Sequence, residues 1–508
     1  MTRMENTFGP GCWLRVAGGL ALALLSAVLL ILAFPPYNLG LLIWIGFIPM
    51  LVTQYRVLPA RLSSLASAIA IGGWLGVLLV PMFGSKSFFM ATIPLLTGLL
   101  VFFVDKNKRL FHARSGNRWF VLEGAVGWVG LEMLRSFIPA LGTWLFVGYP
   151  LWSQPWLLQP LSVFGIYGLD LLIMLGNYAL AQGLFVLLDK KWKWDAAMRL
   201  DTHPARRWIL TFGFLLVAWI GLSLFLFTRP PSPATRLVRL AAIQPDLPRA
   251  AHRDASTPPE QRSALLAAQT RQVAEQGAQI IVWPEMALAF DPQVEHTQEL
   301  QSLAAEIQAY LVIGYVVDAE QGFRNEATIL TPSGEFLGVY GKTHPAIFSG
   351  EPRTVSRGVY PVYDTPIGKL ATMICFDADF TDVPRRFGRQ GAQVIAAPSL
   401  FGPSIAQMPH TQIVFRAVEN RTTIVMADVA YNSAIVDSYG RVLELSITPE
   451  GVRTTLVADV ALGTGETLYS RFGDWLGWLC LGGMVFFAVF MQVGQQKNPS
   501  NPHSVRML

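Results

Sequence analysis

Seven apolar runs fill the first 228 residues, at 16–34, 39–52, 62–83, 88–104, 119–134, 161–188 and 208–227, and an eighth closes the chain at 475–493. A helix crosses the hydrocarbon core with about 20 mostly apolar residues, so a chain that repeats such runs reads as a membrane bundle. The first run is too long for a signal-peptide core and has no small-residue cleavage site after it, which makes it an uncleaved anchor. Composition agrees. Hydrophobic residues make up 52% and charged residues 14% of the chain, against about a quarter charged in soluble domains. Such a chain cannot cover a soluble globule with polar surface, and its 15 tryptophans suit interfacial anchoring. A formal charge of +5 over 508 residues gives no case for nucleic acid.

The loop charges orient the runs. Arg3 and Arg15 precede the first run. Arg56 and Arg61 lie between the second and third. Lys106, Lys108, Arg109, Arg114 and Arg118 lie between the fourth and fifth, and Lys190, Lys191, Lys193, Arg199, Arg206 and Arg207 between the sixth and seventh. The alternate loops carry only Lys86 and Arg135. All the basic loops therefore share one side, which is cytoplasmic. A domain placed after the seventh run lies outside, and the eighth run returns the tail to the cytoplasm. Near the outer end of the fifth run, Glu132 and Arg135 stand one turn apart, followed by Gly142, Trp144, Gly148, Tyr149, Pro150 and Trp152. This stretch reads either as a capped helix end with a local ion pair and aromatic belt, or as a segment dipping into the outer leaflet against protein.

The expected organisation is a seven-span bundle over 1–228, a Pro-rich linker at 229–235, a soluble α/β domain over 236–462, a connector at 463–474, the eighth span and a tail at 494–508. Within the α/β domain, strands are expected at 237–243, 279–283, 311–316, 327–330, 336–340, 370–374, 393–397 and 423–427. The turn Pro332, Ser333, Gly334 joins the fourth and fifth of these. Helices are expected from Pro258 or Pro259 to Gly277 and from His410 to Arg421.

Three residues stand at strand ends, where α/β folds place their chemistry. Glu285 follows the strand 279–283, Lys342 follows 336–340 and Cys375 follows 370–374. Of the three cysteines, Cys12 lies beside the first apolar run and Cys480 within the last, so no disulfide framework is available to Cys375. An isolated cysteine is more often a core residue than a nucleophile, and Glu285 or Lys342 alone could be a helix cap or a solvated charge. Together they form a coherent set: Glu285 as the base that makes a thiolate, Cys375 as nucleophile, and Lys342 as the charge that stabilises a tetrahedral oxyanion.

The segments Trp283-Pro284-Glu285, Tyr340-Gly341-Lys342-Thr343-His344-Pro345 and Ile374-Cys375-Phe376-Asp377 resemble the three signature motifs of the nitrilase, or carbon–nitrogen hydrolase, superfamily. The whole chain resembles the membrane branch of that superfamily, the apolipoprotein N-acyltransferases. Phe34-Pro35-Pro36, Glu132 with Arg135, Gly350-Glu351, Arg416-Ala417-Val418-Glu419, Arg421 and the Thr467, Tyr469, Gly473, Asp474 cluster also match. The chain departs from that branch at Pro398-Ser399-Leu400-Phe401-Gly402-Pro403, where an Asn-Asp-aromatic stretch with Trp is usual, and at Asp377, where Glu is common.

The resemblance implies an α-β-β-α sandwich beside an eight-span bundle in the bacterial inner membrane, with the catalytic domain on the periplasmic face. It implies transfer of an acyl chain from a phospholipid, through a Cys375 thioester, to the α-amine of a diacylglyceryl-cysteine at an apolipoprotein N-terminus. Glu351 would orient Lys342 or assist proton transfer, with Asp377 in support. The implied enzyme is a monomer that needs neither metal nor organic cofactor. Its partners are membrane lipids, the phospholipid donor and the lipoprotein acceptor. A tethered amidase, an acyltransferase for a different amine and a non-catalytic scaffold remain as rival readings. The eight spans argue against the first, and the intact triad argues against the last.

Overall fold

The computed structural model describes residues 10–80, 88–192, 202–228, 237–247, 259–319, 322–347, 351, 358–449 and 451–496. The linker at 229–235, Gly350 and the tail beyond Gln496 lie outside the described residues. The chain forms two compact units. One draws on 1–134, 167–218 and 476–508, the other on 135–166 and 219–475.

The first unit is helical. Among the described residues, six helical stretches are long and apolar enough to cross a membrane: Trp13–Ala33, Gly40–Val57, Ala60–Leu79, Leu161–Lys191, Thr202–Phe227 and Trp475–Gln492. The runs read at 88–104 and 119–134 form the helices Phe88–Arg114 and Phe120–Ser136, the latter only 17 residues long. The second run is not one regular helix. It passes through a 3-10 turn at Gly40–Trp44, an α-turn at Ile48–Val52 and a π-turn at Thr53–Val57.

An apolar medium tolerates such irregularity only where every backbone carbonyl finds a donor. Here guanidinium groups supply them. Arg109 Nη1 donates to Gln54 O and Leu58 O, both at 2.9 Å. Arg15 donates to Val57 O at 2.7 Å and Arg56 O at 2.9 Å. Arg56 itself is buried and forks onto Asp189 at 2.8 and 3.1 Å. Basic residues read from the sequence as loop charges therefore also cap the end of a broken helix.

The second unit holds two six-stranded sheets. The strands are β1 (Leu237–Gln244), β2 (Ile280–Val282), β3 (Tyr310–Ala319), β4 (Gly322–Leu330), β5 (Phe336–Gly341), β6 (Val362–Thr365), β7 (Gly368–Thr372), β8 (Val394–Ser399), β9 (Thr423–Asp428), β10 (Asn432–Val436), β11 (Val442–Ile447) and β12 (Thr454–Ala461). The first sheet runs β12-β1-β2-β3-β4-β5 and the second β11-β10-β9-β8-β7-β6. In each, three central strands are parallel, and antiparallel strands flank them.

Strand alternation sorts the side chains into layers. Val238, Leu240 and Ala242 of β1 join Val312, Leu370, Ala396 and Val425 in the core between the sheets. Ala241 and Ile243 face outward with Ile281, Leu311 and Ile313, where the helices Pro259–Glu275 and Thr297–Ile307 cover them with Leu266, Val273, Leu300 and Leu303. The helix Pro409–Asn420 packs on β9 and β10 of the other sheet. The layers follow the expected α-β-β-α order.

The sequence reading omits β6, β10, β11 and β12. β6 is four residues long, and β11 and β12 are largely half-exposed. Their apolar signal is correspondingly weak. β10 is fully buried but carries Asn432 and Ser433.

Within the turns and short helical pieces of 137–160, residues 142–151 pack inside this unit, with Thr143, Leu145, Phe146 and Val147 wholly buried. Their irregular backbone thus lies against protein.

Candidate active site

Each of the three signature residues leaves the end of a strand. β2 ends at Val282, and Trp283 and Pro284 carry the chain to Glu285. β5 hands over directly to Lys342. β7 is followed by Met373 and Ile374, and then by a 3-10 turn, Cys375–Asp379. Gly314 of β3 allows Pro284 and Glu285 to approach. A Cβ there would collide with Pro284 O and lie 2.9 Å from Glu285 Cα.

Lys342 is 2% exposed, so the reading of a solvated surface charge does not apply. Its Nζ lies 2.8 Å from Glu285 Oε1 and 2.7 Å from Glu351 Oε2. Burial alone would drive the proton off, but the two carboxylates outweigh it and hold the ammonium above lysine's usual range. The Glu285 carboxyl is buried as well. Burial raises it, Lys342 opposes that rise, Glu351 reinforces it, and the net position is above the ordinary glutamate range. A carboxylate raised in this way is a stronger base than an ordinary glutamate.

Cys375 is buried, and its thiol lies 3.6 Å from Leu400 O. Burial and the neighbouring Glu285 push the thiol well above its usual value, with Lys342 pulling the other way. The resting thiol is therefore neutral. Its backbone adopts φ +47°, a left-handed conformation that a side chain occupies at a cost and that persists only where its surroundings enforce it.

Asp377 supplies part of that enforcement. Its Oδ2 accepts from Ile374 N at 3.0 Å and from the Tyr340 hydroxyl at 2.8 Å. Its Oδ1 accepts from Thr343 N at 3.1 Å and His344 N at 2.8 Å. One carboxylate thus ties the lysine loop to the nucleophile turn, and burial holds it at about 6. His344 adds a second tie, since its ring stacks on Phe380 with centroids 3.7 Å apart.

Glu351 Oε2 also accepts from Ala346 N at 2.8 Å. Sequence reasoning missed one member of the cluster. Asn325, in β4, donates its Nδ2 to Glu285 Oε1 at 2.6 Å and to Glu351 Oε1 at 2.7 Å. Its only local mark is the polar pair Asn325-Glu326 ahead of Ala327, Ile329 and Leu330, which names no partner.

The segment that departs from the superfamily pattern places Pro398 and Ser399 at the end of β8, with Ser399 O accepting from Glu285 N at 3.3 Å. Phe401 N donates to the buried Asp428 at 2.8 Å. The matched residues farther along also converge. Arg416 pairs with Glu419 at 3.2 Å. Thr467 Oγ1 donates to Glu419 O at 2.7 Å. Asp474 accepts from Tyr469 and from Thr381, both at 2.7 Å. Arg421 Nη1 donates to Gln159 Oε1 at 2.6 Å.

Comparison with known proteins agrees with this geometry. The carbon-nitrogen hydrolase family model matches residues 239–469, and the model of the apolipoprotein N-acyltransferase N-terminal domain matches residues 26–179. The chain is similar to the apolipoprotein N-acyltransferases through both its helical and its α/β parts. An apolipoprotein N-acyltransferase of Geobacter metallireducens is 28% identical over 505 residues, covering 92% of this chain and 94% of that protein. Another, of Gloeobacter violaceus, is 24% identical over 511 residues, covering 92% and 91%. An omega-amidase of Mus musculus is 27% identical over 224 residues, covering 38% of this chain and 80% of the amidase. Of these three relatives, the two acyltransferases each cover 92% of this chain and the amidase 38%.

Proposed function

We propose that this protein is a membrane apolipoprotein N-acyltransferase that moves an acyl chain from a phospholipid to the α-amine of a diacylglyceryl-cysteine. The reading rests above all on one observation: a buried lysine held by two buried glutamates beside a buried cysteine, in a chain with six bilayer-length apolar stretches.

Glu285 takes the thiol proton as Cys375 Sγ attacks the ester carbonyl carbon of the donor. The carbonyl oxygen becomes an oxyanion, and the Lys342 ammonium stabilises it. The C–O bond breaks, Glu285 returns the proton to the departing oxygen, and a lysophospholipid leaves behind a thioester. The acceptor amine then attacks the thioester carbon and gives a proton to Glu285. As the C–S bond breaks, that proton returns to sulfur and the amide departs. Glu351 and Asp377 hold Lys342 and Cys375 in place. Neither step needs a metal or an organic cofactor.

The proposed organisation keeps seven spans within 1–228, a linker at 229–235, the catalytic domain at 236–462, a connector at 463–474, an eighth span at 475–493 and a tail at 494–508. The basic loops lie in the cytoplasm, and a monomer in the bacterial inner membrane presents its catalytic domain to the periplasm. Both substrates are then confined to the same surface as the site.

The test is incubation of the purified full chain with phospholipid labelled in its acyl chain. A hydroxylamine-sensitive adduct should form on Cys375, be absent in Cys375→Ala, and be discharged by a diacylglyceryl-cysteinyl peptide. Release of ammonia from small amides, with no adduct from phospholipid, would overturn the reading in favour of a tethered amidase.

A further inference from the structure

The nucleophile turn is held at both ends, and only one end belongs to the superfamily motifs. Asp377 fixes the start through Ile374 N. The last residue, Asp379, is held through its carbonyl by Thr143, whose N and Oγ1 both donate to Asp379 O, at 2.9 and 2.7 Å. Gly142 allows this approach. It adopts φ +49°, and a Cβ at that position would stand 2.6 Å from the same carbonyl.

The hydroxyl of Thr143 has one hydrogen, and Asp379 O takes it. The Tyr149 hydroxyl, 2.6 Å away, must therefore donate to Thr143 Oγ1. Tyr149 is then free to accept from Arg416 Nη2 at 3.3 Å. Arg416 is wholly buried against Glu419, and Glu419 Oε1 accepts from Ile166 N at 2.9 Å. Every hydrogen bond points one way, from Arg416 through Tyr149 and Thr143 to the end of the turn. Thr143, Tyr149 and Arg416 are all buried, so water cannot substitute for a missing member.

We infer that Thr143 is a positioning residue for Cys375. Cys375 holds a left-handed backbone that relaxes unless its turn is restrained on both sides. The Thr143 hydroxyl supplies the restraint on the side away from Asp377. The inference rests on Cys375 as nucleophile, but its structural content is the placement of the thiol and can be read without acyl transfer.

The experiment uses the full chain in lipid nanodiscs and compares wild type, Thr143→Val, Thr143→Ser and Tyr149→Phe. Two rates are measured at Cys375: acylation by labelled phospholipid, and alkylation by iodoacetamide located by mass spectrometry. Losing one buried hydrogen bond at the turn should slow both rates about five- to tenfold in Thr143→Val. KM for the phospholipid should stay unchanged, and Thr143→Ser should restore both rates. Tyr149→Phe, which removes the donor to Thr143, should slow both by a smaller factor. Wild-type rates in Thr143→Val overturn the inference. If Thr143→Val does not fold, Tyr149→Phe decides, and wild-type rates there overturn it. If wild-type protein is never acylated while the alkylation differences appear, the acyltransferase reading fails and the positioning role stands.

Discussion

Asn325 and Lys342 share their partners. The amide nitrogen of Asn325 lies 2.6 Å from Glu285 and 2.7 Å from Glu351, and the ammonium of Lys342 lies 2.8 Å and 2.7 Å from the same two carboxylates. Two carboxyl groups are thereby held in one buried site. Hydrogen bonds to charged groups contribute about 1.5–3 kcal/mol each. Asn325→Ala should therefore slow acylation of Cys375 by roughly one to two orders of magnitude. Single-turnover acylation of the variant measures this, and an unchanged rate removes Asn325 from the site.

Lys342→Met should act on both rate and stability. Removing an oxyanion donor costs about two to three orders of magnitude in rate. Glu285 is then left buried beside Glu351 without its cation, which raises its folded-state pKa further. A carboxyl raised on folding favours the folded state when protonated, and that contribution is lost as pH rises through the folded value. The melting temperature of Lys342→Met should thus fall increasingly below wild type as pH rises above the ordinary glutamate range. A pH-independent difference would place Lys342 outside the carboxylate pair.

Asp377, held at about 6 by burial, predicts opposite trends for activity and stability. Its folded value is raised, so its contribution to stability grows as pH falls through 6. Below that pH the protonated carboxyl accepts less well from Ile374, Thr343 and His344, and acylation should decline. Paired measurements of acylation rate and melting temperature test the divergence. A rate that stays flat from pH 7 to 5 would rule out the ionised form as the working one.

Gly314→Ala should reduce both activity and stability. The added methyl meets the backbone of Pro284 and Glu285, and overpacking of this kind costs about 1–3 kcal/mol. Denaturant unfolding and acylation rates read the two effects. Wild-type values in both would mean that the Glu285 loop yields freely.

Orientation can be read with a membrane-impermeant maleimide on intact cells, in a background lacking Cys12 and Cys480. A cysteine at the exposed Val294 should be labelled, and one at Lys191 should not. The reverse pattern would invert the proposed topology.

Much of the site was legible in the sequence because strand ends are. Val282, Gly341 and Thr372 close strands whose apolar runs announce them, and the residues proposed to carry the chemistry lie just beyond. Asn325 was not legible, because it lies within a strand and not after one. Its role depends on a cross-strand neighbour, with Lys342 N bonded to Asn325 O at 2.9 Å. Thr143 was harder still. It is separated from Asp379 by 236 residues, and no local period or turn signal links them. The edge strand β11 escaped because its burial does not alternate along the strand, so no face carries a continuous apolar signal.

Glu285 and Lys342 stand on the first sheet and Cys375 on the second, with Glu285 N bonded across to Ser399 O at the end of β8. The proposed acid–base group and the sulfur are thus mounted on separate plates, and their spacing is a matter of shear. A side chain deep between the plates, such as Val312 or Val425, touches neither reacting atom. Trimming one would let the plates slide by a fraction of an ångström, and the enzyme would go out of tune well before it came apart.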